Sequence, residues 1–147
     1  MFRSIVVGTD GSETAAKAVD AAVGLARLTG AKLEIVSAYE PVGFRVLREE
    51  VRQAPPDVHW VVNRRADVDA MLEQAWRQAG DAGVAAQTSA REGDPADAIL
   101  DVAEELGADL IVVGNKGMTG ARRYLLGSVP NNVSHHAPCS VIIVRTT

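Results

Sequence analysis

Between positions 114 and 128 the chain reads GNKGMTGARRYLLGS, and four of its 13 glycines fall within those fifteen residues. The stretch follows DLIVV, an apolar run, and leads into VPNNVSHH, a short helical pattern. Its spacing is Gly114-x2-Gly117-x9-Gly127-Ser128. That is neither G-x-G-x-x-G nor G-x-x-x-x-G-K-[ST]. The chemistry it suits is still anion binding. A helix N-terminus offers unpaired N–H groups and a positive dipole end, and glycine lets backbone approach a phosphate without a Cβ in the way. Ser128 can cap the helix or hydrogen-bond a phosphate oxygen. Lys116, Arg122 and Arg123 add local positive charge, each worth under about 1 kcal/mol at an exposed site. The competing reading is purely local: glycines for turns and Ser128 for a cap.

A second polar loop, GTDGS at 8–12, follows the first apolar run. A carboxylate at Asp10 can accept bonds from ribose hydroxyls or share a phosphate-bound Mg²⁺. Asp-Gly-Ser is equally good chemistry for a loop entering a helix, so both roles stay open. His135 and His136 are adjacent, and neighbours on a helix face different directions, which argues against a shared metal or base role. Cys139 precedes an apolar strand and reads as packing.

These loops need elements to hold them. SIVVGT (4–9), KLEIVSAY (32–39), DLIVVG (109–114) and CSVIIVR (139–145) read as strands, with VAAQTSA (84–90) a weaker fifth. The continuous apolar runs predict strands covered on both faces, as in a parallel sheet; KLEIVSAY alternates, with Leu33, Ile35 and Ser37 on one side. Helices fit 12–29, with Ser12 as cap and Gly30 as stop, and 66–80, with Val68, Met71, Leu72, Ala75 and Ala79 on one stripe. A third fits 95–106, opened by Asp94-Pro95, with Ile99, Val102, Ala103 and Leu106 as its buried stripe and Gly107 after it. A fourth runs from Val129 to about His136. Strands alternating with helices predict an α/β, doubly wound, Rossmann-like parallel sheet with helices on both faces. Ligands bind such sheets outside the carboxyl ends of the strands, where the strand order reverses. GTDGS, SAYEP and GNKG all fall there. The 40–65 connection, EPVGFRVLREEVRQAPPDVHWVVNRR, is long for a crossover and contains Trp60; it reads either as a binding surface or as a surface excursion.

At 147 residues, 47% hydrophobic and 23% charged, the chain reads as one domain over 1–147. A net charge of −4 argues against nucleic acid as a partner. The single cysteine fits a reducing compartment. The first residues lack a signal-peptide core, and no apolar run approaches the roughly 20 residues that span a bilayer. The expectation is a cytoplasmic protein with no membrane partner.

The chain resembles the universal stress proteins. IVVGTDGSETAAKAVDAAVGLA is similar to the opening of that family, GDPADAILDVAEELGADLIVVGNKG to its third helix and fourth strand, and GARRYLLGSVPNNVSHHAPCSVIIVR to its end. The glycine spacing matches the pattern of the family's ATP-binding branch. The resemblance implies a five-stranded parallel sheet of order 3-2-1-4-5 and a homodimer formed through the last strand, residues 140–145 here. It also implies a bound adenine nucleotide, ATP in the first place. Carried over by position, Thr9 and Asp10 would line ribose and phosphates, with Asp10 toward any Mg²⁺, and Ala38 would meet adenine through its backbone. Gly114, Gly117, Gly127, Ser128 and Val129 would wrap the phosphates, with Asn115 and Lys116 in the same loop. Pro130 departs from the pattern by removing one N–H donor from the helix that follows.

The implied role is a nucleotide-dependent sensor or regulator in stress response. The alternatives are a weak ATPase or a phosphoryl- or adenylyl-transfer enzyme, and a dimeric scaffold without nucleotide. No nucleophile, base or arginine-finger set stands out in the sequence.

Overall fold

Residues 1–39, 65–115 and 127–146 are described by the structure, a computed structural model. Lys116 and Gly117, Arg122 and Arg123, and the 40–64 part of the long connection with Trp60 lie outside the described residues. The elements run β1 (Ser4–Gly8), α1 (Glu13–Thr29), β2 (Lys32–Tyr39), α2 (Arg65–Asp81), β3 (Ala86–Glu92), α3 (Pro95–Leu106), β4 (Leu110–Gly114), α4 (Ser128–His136) and β5 (Ser140–Val144). All five strands pair in parallel, in the order β3-β2-β1-β4-β5.

Alternation along the strands divides the core in two. Ile5, Val7, Leu33, Ile35, Leu110 and Val112 face α1 and α2. Val6, Val36, Ala38, Ile111 and Val113 face α3 and α4. The continuous apolar runs therefore report burial on both sides, as a parallel sheet requires. β2 departs from the expected alternation because it too is covered on both faces; its one charged interior residue, Glu34, is 9% exposed. The Glu34 carboxylate is satisfied by Ser89 Oγ, which donates to it at 2.5 Å. The outermost strand β5 is covered less completely, and Ile143 is 37% exposed.

The helix ends follow their punctuation. Ser12 Oγ accepts the Ala15 N–H at 3.1 Å, and Gly30 ends α1 in the left-handed region. Asp94 accepts the Asp97 N–H at 3.0 Å, with Pro95 opening α3. Two expectations shift. The fifth strand begins at Ala86 rather than 84, because Val84 still belongs to the exit of α2 and donates its N–H to Ala79 O at 3.0 Å. Leu106, placed on the buried stripe from its spacing, is 49% exposed; it ends α3 and lines an open cavity at the amino ends of β1 to β3 instead of the core. Trp76 lies off its helix's apolar stripe as expected, and its indole N–H donates to Ala86 O at 2.9 Å on the edge strand.

At the amino ends of the strands, Asp109 joins β1 to the entry of β4. Its carboxylate accepts the N–H groups of Arg3 at 2.9 Å and Ser4 at 3.2 Å. These bonds, the Arg3 N–H first, hold the Asp109 carboxyl below its ordinary range.

Candidate functional site

The order β3-β2-β1-β4-β5 reverses direction at β1. The chain winds outward to β2 and β3, then returns across β1 to β4. A crevice opens between the carboxyl ends of β1 and β4 at such a point. Register fixes what reaches it. Val7 pairs with Val112, so two residues further on Thr9 stands level with Gly114. On the other side the Thr9 N–H donates to Val36 O at 2.9 Å, which brings Ala38 to the same edge. Thr9, Asp10, Ala38, Gly114, Asn115, Gly127, Ser128 and Val129 all lie at this end of the sheet or on the helix that follows from it.

The Thr9–Ser12 turn is built from its own side chains. Thr9 Oγ1 accepts the Gly11 N–H at 3.1 Å, and Asp10 Oδ1 accepts the Ser12 N–H at 2.9 Å. Gly11 sits at φ 81°, a conformation that glycine adopts without strain. Thr9 is 3% exposed, Asp10 5% and Ser12 8%, so a carboxylate lies buried at the strand end. The Asp-Gly-Ser turn reading is thus realised.

Across the crevice, α4 starts with Gly127 as its N-cap, in extended geometry and with no side-chain cap. Ser128 is the first helical residue and not the cap. Pro130 falls within the first turn, at a position that sterics tolerate. Gly127 is anchored by donating its N–H to Asn115 O at 2.9 Å. Asn115 does more than sit in a loop: its Oδ1 accepts both the Thr146 N–H at 2.8 Å and Thr146 Oγ1 at 2.9 Å.

Three residues around the site escaped the sequence reading as site residues. Met71 packs against Gly11; its place on an apolar stripe gave no sign that the stripe ends at the turn. Thr146 and Lys17 meet through the Lys17 Nζ donor and Thr146 O at 3.0 Å. Only the register of β4 with β5, Gly114 opposite Val144, brings Thr146 beside Asn115.

Among the described residues no cluster of three or more His, Cys, Asp or Glu could hold a metal. The His135 and His136 rings are 6.5 Å apart and exposed, and His136 Nδ1 lies 3.0 Å from Asn132 O within its own helix. Cys139 is half-buried, and burial raises its thiol pKa. Among the described residues no helix is long and apolar enough to cross a membrane.

A parallel sheet whose order reverses at β1, with a buried carboxylate after β1 and a glycine-capped helix start after β4, defines a class: the doubly wound α/β domains whose ligand sites lie at the strands' carboxyl ends. Comparison with known proteins narrows it. The profile of the universal stress protein family matches residues 1–145, so the chain belongs to that family. It is 41% identical over 150 residues to universal stress protein Rv1636 of Mycobacterium tuberculosis, covering 99% of this chain and 98% of that one. It is 39% identical over 150 residues to universal stress protein YxiE of Bacillus subtilis, covering 99% and 100%. A crystal structure of a universal stress protein in complex with cAMP superposes with a TM-score of 0.73 at 35% identity, covering 99% of this chain and 98% of the other.

Proposed function

We propose that this chain, as one domain over 1–147, is a cytoplasmic adenine-nucleotide-binding regulator of stress response, with ATP as its first candidate ligand. One observation carries the reading. The turn bearing the buried Asp10 and the glycine-capped start of α4 follow β1 and β4, the neighbouring strands at which the order reverses. The relative in complex with cAMP supports an adenine nucleotide. In this reading the first turn of α4 and the glycines at 114, 117 and 127 receive the phosphates, with Ser128, Val129, Asn115 and Lys116 beside them. Thr9 and Asp10 face the ribose and phosphates, and the Ala38 backbone reads adenine.

The residues also fit Mg²⁺ carried in by the nucleotide. Such an ion takes one or two carboxylates, with phosphate oxygens and waters completing its shell, and Asp10 is the candidate carboxylate. The role is binding, with at most slow hydrolysis. The exposed Ile143 on β5 supports pairing of residues 140–145 with a second copy.

Calorimetric titration of nucleotide-free protein with ATP and Mg²⁺, AMP, cAMP and GTP tests the proposal. Saturable binding confined to adenine nucleotides is expected, and their ranking reports which phosphates the loop senses. No binding by calorimetry or by a second probe rejects the nucleotide reading and leaves a dimeric scaffold.

A further inference from the structure

Thr146, two residues beyond the last strand, is 2% exposed. Its burial is explained by its hydrogen bonds. The N–H and Oγ1 both donate to Asn115 Oδ1, and the carbonyl accepts from Lys17 Nζ. The orientation of the Asn115 amide is fixed by this, because a peptide N–H can only donate and must face the side-chain oxygen. Asn115 in turn meets β5 through its N–H, donated to Val144 O at 2.9 Å, and meets Gly127 through its carbonyl.

The bonds form a continuous path. It runs from Gly127, at the start of α4, through Asn115 to Thr146, and on through Lys17 into α1. The start of α1 is the Asp10–Ser12 turn. Thr146 therefore ties the segment that leads from β4 into α4 to helix α1. A path of hydrogen bonds with each donor matched to an acceptor holds its members in one arrangement. A shift in the Asn115 peptide plane would move Gly127 and the first turn of α4 with it.

We propose that Thr146 is a positioning residue for the nucleotide site, and that through it the occupancy of the crevice is linked to the tail that follows β5. This rests on the nucleotide reading given above. Thr146 need not touch ligand: it sets the distance between the Asp10 turn and the start of α4, which together would grip the phosphates. Linkage is reciprocal, so nucleotide binding must tighten the Thr146 contacts to the same degree that those contacts favour binding. Since only Arg145 separates Thr146 from β5, the same linkage gives the strand edge a means of sensing nucleotide.

The test uses the full chain, Thr146→Ser, Thr146→Val and a chain ending at Arg145, each checked for fold by circular dichroism. Thr146 is altered in preference to Asn115 because Asn115 is itself a candidate ligand contact. Loss of one hydrogen bond predicts ATP affinity about threefold weaker for Thr146→Val, and loss of all three about tenfold or more for the shortened chain. Thr146→Ser, which keeps the hydroxyl donor, stays within about twofold. In the full chain, ATP slows hydrogen exchange of the Thr146 amide. A merely structural strut would lower the melting temperature of the variants while leaving ATP affinity and the nucleotide dependence of that exchange unchanged, and this result overturns the proposal. If the full chain binds no adenine nucleotide, the nucleotide reading fails and the coupling falls with it. If the full chain binds and the shortened, folded chain binds equally well, only the coupling fails.

Discussion

The thioether of Met71 rests directly on Gly11: a Cβ placed on Gly11 would stand 2.1 Å from the Met71 sulfur. The contact joins α2 to the turn that carries Asp10, so a core residue of one element shapes the backbone of the candidate site. Gly11 is held there by two constraints, the lack of space and its φ of 81°. Gly11→Ala is expected to cost about 1–2 kcal/mol from the left-handed backbone alone, with the clash added. Met71→Ala in the same chain should recover only the steric part. Denaturant unfolding of the two single variants and the double variant separates the terms; full recovery would show that φ contributes nothing.

Gly127→Asp tests the phosphate site without straining the backbone. Gly127 has φ −62° and ψ 163°, a geometry open to any L-residue, and aspartate is a favoured N-cap. Helix α4 should be kept while a carboxylate takes up the anion position. The expected outcome is at least about a tenfold loss of ATP affinity, from charge repulsion at close range, with an unchanged circular dichroism spectrum. Undiminished affinity would mean that the start of α4 does not meet phosphate.

Asp10→Asn keeps an oxygen for the Ser12 N–H and removes the charge. The turn should survive, with a melting temperature within a few degrees of the unaltered protein. ATP binding should weaken, and its dependence on Mg²⁺ should fall. Titrations with and without Mg²⁺ that match those of the unaltered chain would confine Asp10 to its role in the turn.

Asp109 gives a pH signature remote from the crevice. Its carboxyl is held low by the N–H groups of Arg3 and Ser4, so its contribution to stability is complete above the ordinary aspartate range and is lost as pH falls through the depressed value. Asp109→Asn should lower the melting temperature at pH 7, and the gap from the unaltered protein should shrink as pH drops below about 4. A gap that stays constant from pH 7 to pH 3 would contradict the linkage.

Several parts of this molecule were written locally. Strands β1 and β4 announce themselves as apolar runs because both their faces are buried, whereas the half-exposed edge strand β3, AQTSARE, gives only a weak signal. Helix ends are equally legible, since Ser12, Asp94, Gly30 and Gly107 each answer an unpaired backbone group within a few residues. Asp10 could be singled out at the end of the first strand, the alternation of strands and helices located the edge of the sheet at which a ligand site should lie, and the family was legible as a resemblance of longer stretches.

What the tertiary structure decided depends on register and on which element stops where. Leu106 matches its stripe in spacing, but as the last residue of α3 it borders the open cavity at the amino ends of β1 to β3 rather than the core. Ser128 has the right chemistry for a cap, yet Gly127 holds the position because its N–H is fixed by Asn115. Met71 over Gly11, and Thr146 between Asn115 and Lys17, join residues 60, 31 and 129 positions apart. Local sequence carries the preferences of neighbours along the chain. Contacts of this range exist only once the sheet has set each strand's offset against the next.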